Sequence, residues 1–206
     1  MKYIIVILCA ILAYLLGSVN TAIILSKIKG KDIRKEGSGN AGATNTLRVM
    51  GKKAALLVAL FDGLKGVIAV LLARLICIVA DAESVLDVSL YFSALFVMLG
   101  HIYPLYFGFK GGKGIMTTIA VVFMLDWRIG LILFVCCIAI MLTTGFVSLG
   151  SCIGAAAFPV LVALLHTEDV LFIVIAAAIG LLAIFKHRSN IGRLIKGTES
   201  KLSFKK

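Results

Sequence analysis

Apolar residues in this chain gather into long runs separated by short polar stretches, without the period-two alternation of a membrane barrel. The runs cover residues 3–28, 54–80, 88–109, 115–125, 129–147, 152–165 and 170–185. As helices, the first three are long enough to cross a hydrocarbon core, which takes roughly 20 residues. The others are shorter, and run 115–125 would rise only about 16 Å. The pattern predicts an all-α, polytopic membrane bundle forming a single domain over residues 1–206. Its first run is too long for a cleaved signal peptide, and its positive charges follow rather than precede it. A retained signal-anchor is expected there.

Composition supports this reading. The chain is 61% hydrophobic and 15% charged, whereas soluble domains hold about 45–50% apolar and about 25% charged residues. Charge placement then orients the bundle. Lys27, Lys29, Lys31, Arg34, Lys35, Arg48, Lys52 and Lys53 fill the first loop, and Lys110 and Lys113 follow the third run. The tail adds Lys186, Arg188, Arg193, Lys196, Lys201, Lys205 and Lys206. The alternate loops carry Asp81, Glu83, Asp87, Asp126, Glu168 and Asp169 against Arg128. Basic loops stay inside, so the N-terminus lies outside, the C-terminus is cytoplasmic, and alternation gives seven crossings. Five remain open if run 115–125 merges with its successor or fails to span. The net charge of +11 sits on the cytoplasmic face, where it attracts anionic lipid and gathers phosphorylated solutes. No nucleic-acid partner is expected. Cys9, Cys77, Cys136, Cys137 and Cys152 all lie within or at the ends of apolar runs without metal-ligand company, so packing is their expected role and no metal or cofactor is implied.

The polar stretches at the inner mouths of the runs carry the candidate chemistry. In 37–48, Gly37, Gly39 and Gly42 permit positive φ and would let consecutive N–H groups turn toward one anion. Thr44 and Arg48 share a helix face, and Arg48 supplies a guanidinium fork. No Gly-Lys-Ser/Thr follows, so this is not a P-loop. Stretch 109–114 sets Lys113 between glycines, within reach of an anion; a helix end with a topology-setting lysine is the plainer alternative. His101, on an apolar face, reads as a structural histidine. Ser148 and Ser151 read equally as helix caps. His187 and Asn190 meet on one face if the last helix continues, and the segment 191–206 is an amphipathic stretch at the interface or in solvent. Asp62 and Lys65, three apart inside an apolar run, are expected to pair and brace the site.

Taken together, these segments closely resemble the bacterial acyl-phosphate:glycerol-3-phosphate acyltransferases. The matching residues run from Leu16-Gly17-Ser18 through 37–48, Gly51-Lys52-Lys53, Asp62-x-x-Lys65-Gly66, Gly100-His101-x-x-Pro104 and 110–114. They continue through Ser148-Leu149-Gly150-Ser151 and His187-Arg188-x-Asn190-Ile191-x-Arg193-Leu194 to Gly197-Thr198-Glu199. One departure is Asn20, where the family commonly has proline, which removes the expectation of a proline kink in the first span. The resemblance implies transfer of a fatty acyl group from acyl phosphate to the 1-position of glycerol 3-phosphate. Lysophosphatidic acid and inorganic phosphate would be the products, in the first step of phospholipid assembly at the bacterial cytoplasmic (inner) membrane. Neither acyl-CoA nor acyl carrier protein is the direct donor in such enzymes. The His-x4-Asp motif of larger acyltransferases is missing too: Tyr106, Leu171 and Gly192 stand where it would need aspartate.

Family analogy carries substrate contacts onto Ser38, Thr44, Asn45, Arg48, Lys113, Ser148, His187 and Asn190. Asn40, Gly42, Gly111, Gly112 and Gly114 complete the expected substrate-binding set. Two phosphates need two anion sites, and the chain offers two glycine-rich cradles. Either His187 takes the proton of the attacking hydroxyl or the departing phosphate does. With no Ser/His/Asp or Cys/His set in view, substrate-assisted transfer is favoured. The acyl tail is expected to enter sideways between spans from the membrane lipid. A transporter or flippase for a phosphorylated solute is the rival reading, and it would need polar residues through the bilayer midplane.

Overall fold

A computed structural model describes residues 2–202, and all of its regular structure is helical. In chain order the helices are α1 (Lys2–Ser18), α2 (Thr21–Ile28), α3 (Ala43–Met50), α4 (Lys52–Val79) and α5 (Leu86–Ile102), then α6 (Ile115–Leu125), α7 (Trp127–Thr144), α8 (Val147–Leu165), α9 (Val170–Lys186) and α10 (Arg188–Ile195). Each of the seven apolar runs forms helix. Among the described residues five stretches are long and apolar enough to cross a membrane. The pair α9 and α10, bent by 58°, makes a sixth if taken as one span, and α6 is a shorter apolar helix. Two compact units meet in sequence at Leu125–Asp126.

In the first unit α1 lies chiefly against α5, and α4 packs on α1, α5 and α6. Glycine permits the closest approaches. A Cβ on Gly17 would strike the Val97 carbonyl, and one on Gly100 would strike the Tyr14 carbonyl, so the α1 and α5 backbones touch directly. A Cβ on Gly66 would press on the Thr117 carbonyl of α6. The first apolar run is not one continuous helix. It is interrupted at Val19–Asn20, and the Asn20 side chain caps α2 by accepting from the Ile23 N–H at 3.0 Å. The break thus arises without proline, because an asparagine can draw the backbone out of the helix and satisfy its donors. Ser18 Oγ fastens this break to the turn that follows α5, accepting from Leu105 N–H at 3.1 Å.

The second unit stacks α7 on α8 and α8 on α9. Gly150 and Gly154 face Cys137, while Gly180 faces the Ala155 carbonyl beside Pro159. At one end Asp126 caps α7 and meets Arg128 and His166, each at 2.7 Å. Its bond from Arg128, with a smaller one from His166, holds its carboxyl far below the usual range. At the other end α9 does not continue straight past His187, so the condition on which His187 and Asn190 would share a helix face is not met. His187 closes α9 and opens α10. Nor is the tail loose: Leu202 N–H donates to the Gly145 carbonyl at 2.8 Å, and the Lys201 ammonium lies 5.5 Å from the Phe146 ring centre. Lys205 and Lys206 lie outside the described residues.

Candidate active site

In the first unit the long loop before α3 is built around one buried asparagine. Asn45 Oδ1 accepts from Ser38 N–H at 2.8 Å, and its Nδ2 donates to the carbonyls of Ile33 and Glu36 at 3.2 and 2.9 Å. Buried Ile33 pins the loop into a small core with Ile23, Ala41 and Val58. Asp32 and Arg34 pair at 2.8 Å. The Arg34 guanidinium bond holds the Asp32 carboxyl down to about 2, so the pair stays ionised at neutral pH. Arg34 also donates to the Phe107 carbonyl at 2.9 Å and the Lys110 carbonyl at 3.4 Å, stapling the first loop to the second.

The amides differ from expectation. Gly37 and Gly39 do take positive φ, at 57° and 70°, but Gly42 is extended at −162°, a conformation open to any residue. The N–H groups of Ser38, Gly39 and Gly42 close on Asn45, Glu36 and Asn40 within the loop. Those of Gly111 and Gly112 donate to the Ile102 and His101 carbonyls at 3.1 and 3.2 Å. They satisfy orphan acceptors at the end of α5 rather than turning toward an anion. The glycines there serve close approach: a Cβ on Gly111 would strike the His101 carbonyl and Pro104, and one on Gly112 would strike the His101 ring and the Ala41 carbonyl. Gly114 turns into α6 at φ +82°. Asn45 is likewise a brace inside the loop, its amide spent on backbone, and not a group aimed outward.

What the loops present instead is a helix terminus. α3 begins at Gly42 with no side-chain cap, and the first amides of a helix lack intrahelical acceptors and carry the positive end of its dipole. Thr44 and Arg48 both lie half-buried on α3, and Ser38 and Asn40 lie on the preceding turn. Because Gly112 seats against Ala41, Lys113 stands next to this terminus. A helix terminus of this kind suits an anion, and Thr44, Arg48 and Lys113 are the candidate residues around it.

The second unit holds a different cluster. Glu199 Oε1 accepts from Ser148 Oγ at 2.8 Å and from Asn190 Nδ2 at 2.6 Å, and its Oε2 accepts from Arg193 Nε at 2.6 Å. Burial pushes this carboxyl up, but the bonds from Asn190, Ser148 and Arg193 outweigh it and hold the group below its usual range. Neither serine caps α8, whose N-cap is Phe146; Ser151 bonds back to the Val147 carbonyl. His187 Nδ1 lies 2.8 Å from the Ala183 carbonyl. A carbonyl only accepts, so Nδ1 carries the hydrogen and a neutral ring keeps its lone pair on Nε2. Glu199 is the residue that the sequence reading missed as a hub. An acidic residue inside an otherwise basic tail was the signal for it.

Comparison with known proteins matches residues 7–197 to the family described as glycerol-3-phosphate acyltransferase. A relative of that name from Thermoanaerobacter pseudethanolicus is 44% identical over 200 residues, covering 97% of this chain and 96% of the relative. The crystal structure of PlsY (YgiH), an integral membrane glycerol 3-phosphate acyltransferase, superposes in its glycerol 3-phosphate form with a TM-score of 0.86 at 38% identity, over 96% of each chain. Its lysophosphatidic acid form superposes with a TM-score of 0.83 at 37% identity, over 97% of this chain and 96% of that one. Matched along nearly its whole length in sequence and in fold, the chain belongs to the glycerol-3-phosphate acyltransferase family.

Proposed function

We propose that this protein transfers a fatty acyl group from acyl phosphate to the 1-position of glycerol 3-phosphate, at the cytoplasmic face of the bacterial inner membrane. The whole chain then works as one acyltransferase domain in the first step of phospholipid assembly. The hydroxyl oxygen attacks the acyl carbonyl carbon, the bond from that carbon to the phosphate oxygen breaks, and inorganic phosphate leaves. The proton of the hydroxyl passes to the departing phosphate, which balances the step without an enzyme base. His187 then binds through Nε2 and orients rather than abstracts. An acyl phosphate is already activated, so positioning and charge stabilisation supply most of the acceleration. The single observation that carries this reading is the seating of Gly112 on Ala41, which sets Lys113 beside the uncapped start of α3. Ser38, Asn40, Thr44 and Arg48 complete that phosphate-binding face; in the second unit, Ser148 and Asn190 are read as substrate contacts by family analogy alone.

The test is phosphate release by the purified protein in lipidic medium, given palmitoyl phosphate and glycerol 3-phosphate. Release without added CoA, carrier protein or metal is expected. Turnover only with palmitoyl-CoA would refute the donor. Arg48→Ala should raise the glycerol 3-phosphate KM by about 10- to 100-fold, the worth of one charged hydrogen bond. His187→Ala should act on affinity more than on kcat; a pure kcat loss would make His187 the base.

A further inference from the structure

Beneath the two loops of the first unit lies a buried charged cluster. Asp62 and Lys65 sit on α4, the lysine about 20 Å along the helix from Lys52 at 1.5 Å per residue. Lys65 Nζ donates to Asp62 Oδ1 at 3.0 Å and to the Val19 carbonyl at 2.9 Å, where α1 is interrupted. Its third neighbour is His101 Nδ1, at 2.8 Å. Asp62, Lys65 and His101 are all buried. An ammonium has three N–H groups and no lone pair. Two go to the carboxylate and the carbonyl, so the third meets a lone pair on Nδ1. The Asp62 carboxylate and the Val19 carbonyl both accept hydrogens from Nζ, which keeps the shared proton on the lysine nitrogen. The imidazole is therefore neutral with its hydrogen on Nε2. That edge faces the seam between the loops, because a Cβ on Gly112 would collide with Nε2 on one side and the Ala41 carbonyl on the other.

We infer that Asp62 and Lys65 are positioning residues that lock His101 in the Nε2–H tautomer, and that this edge of the ring sets the spacing between Lys113 and the start of α3. The inference rests on the reading that those loops take a substrate phosphate. It accounts for an ion pair inside an apolar helix, where unpaired charge is costly and charge without a task is rare. The cluster touches no substrate; it acts through the ring and the loop backbone.

The experiment combines nitrogen NMR with kinetics on the full chain in lipid nanodiscs. With 15N-labelled histidine, and with His101→Gln identifying the signal, His101 should show a bare Nδ1 and a protonated Nε2 at neutral pH. The double variant Asp62→Asn/Lys65→Met removes both charges together, which buried pairs tolerate better than loss of one. It should lose that signature and raise the glycerol 3-phosphate KM by roughly tenfold or more, with a smaller change in kcat. His101→Gln keeps an amide donor near the place of Nε2 and should retain more affinity than His101→Asn, which can reach only Lys65. A proton on Nδ1, equal behaviour of the Gln and Asn variants, or an unchanged KM in a folded double variant would each overturn the inference. If the double variant does not fold, the wild-type tautomer and the Gln/Asn comparison decide. Arg48→Ala separates the two levels. An unaffected KM there sinks the phosphate reading and the inference with it, whereas a raised KM beside a wrong tautomer sinks the inference alone.

Discussion

At the residue scale, Glu199 carries the clearest consequence. Its carboxylate takes three hydrogen bonds, one from a guanidinium, and its side chain is 5% exposed. Glu199→Ala leaves Ser148, Asn190 and Arg193 without their common acceptor and should cost about 2–4 kcal/mol of stability, read as a lowered unfolding temperature. The pH dependence follows from the direction of its shift. The folded carboxyl titrates below its usual 4.5, so the latch stabilises fully above that value and is lost as pH falls through the folded value. Acid should therefore lower the unfolding temperature of the wild type below about pH 4.5, and Glu199→Gln should flatten that limb; an identical acid limb in the variant would remove Glu199 from it. The pairing of Asp62 with Lys65 was legible from spacing alone, since charges three apart in an apolar helix have few other partners. The inward turn of Asn45 was not. A lone asparagine after glycines fits a ligand contact and a loop brace equally, and only the position of Ile33 and Glu36 decides.

Elements show the same division. Apolar runs announced every long helix, because a bilayer demands length and hydrophobicity that the sequence must display. The interruption at Asn20 was hidden, since a cap depends on one side chain reaching one amide. Asn20→Ala should cost about 1 kcal/mol, and Asn20→Asp should cost more, because it buries a charge and sets a carboxylate oxygen against the Ala41 carbonyl to which the Asn20 amide donates at 3.4 Å; thermal unfolding of the two variants checks the order. Helix crossings give a sharper contrast. Gly100→Ala drives a methyl into the Tyr14 carbonyl and should destabilise by at least about 1–3 kcal/mol. Gly192, inside α10, has open space where its Cβ would be. Gly192→Ala should be stabilising by roughly 0.5–1 kcal/mol, the helix penalty of glycine. Equal effects at the two glycines would contradict the backbone contact of α1 with α5.

At the scale of the whole molecule, charge and helix length together decide how often the chain crosses. Lys110 and Lys113 on one side and the basic tail on the other bracket α6 to α9, and both are expected inside, so the crossings between them must be even in number. The helices α7 and α8 each pass as spans, and α9 with α10 passes as a bent one. If all three cross, the parity is restored only when α6 crosses as well. Its first turn packs deep against α4. Thr117 donates to the Asp62 carbonyl at 2.8 Å and abuts Gly66, beside the buried lysine. A helix of this length rises only about 16 Å, so a crossing by α6 requires the glycine segment before it to enter the membrane as well. Seven crossings are the expected result. Single cysteines at exposed Ser38 and Glu168, in a background lacking the five native thiols, test it with a membrane-impermeant maleimide. Ser38→Cys should label only from the cytoplasmic side and Glu168→Cys only from the outside. Labelling of both from one side would mean that α6 fails to cross.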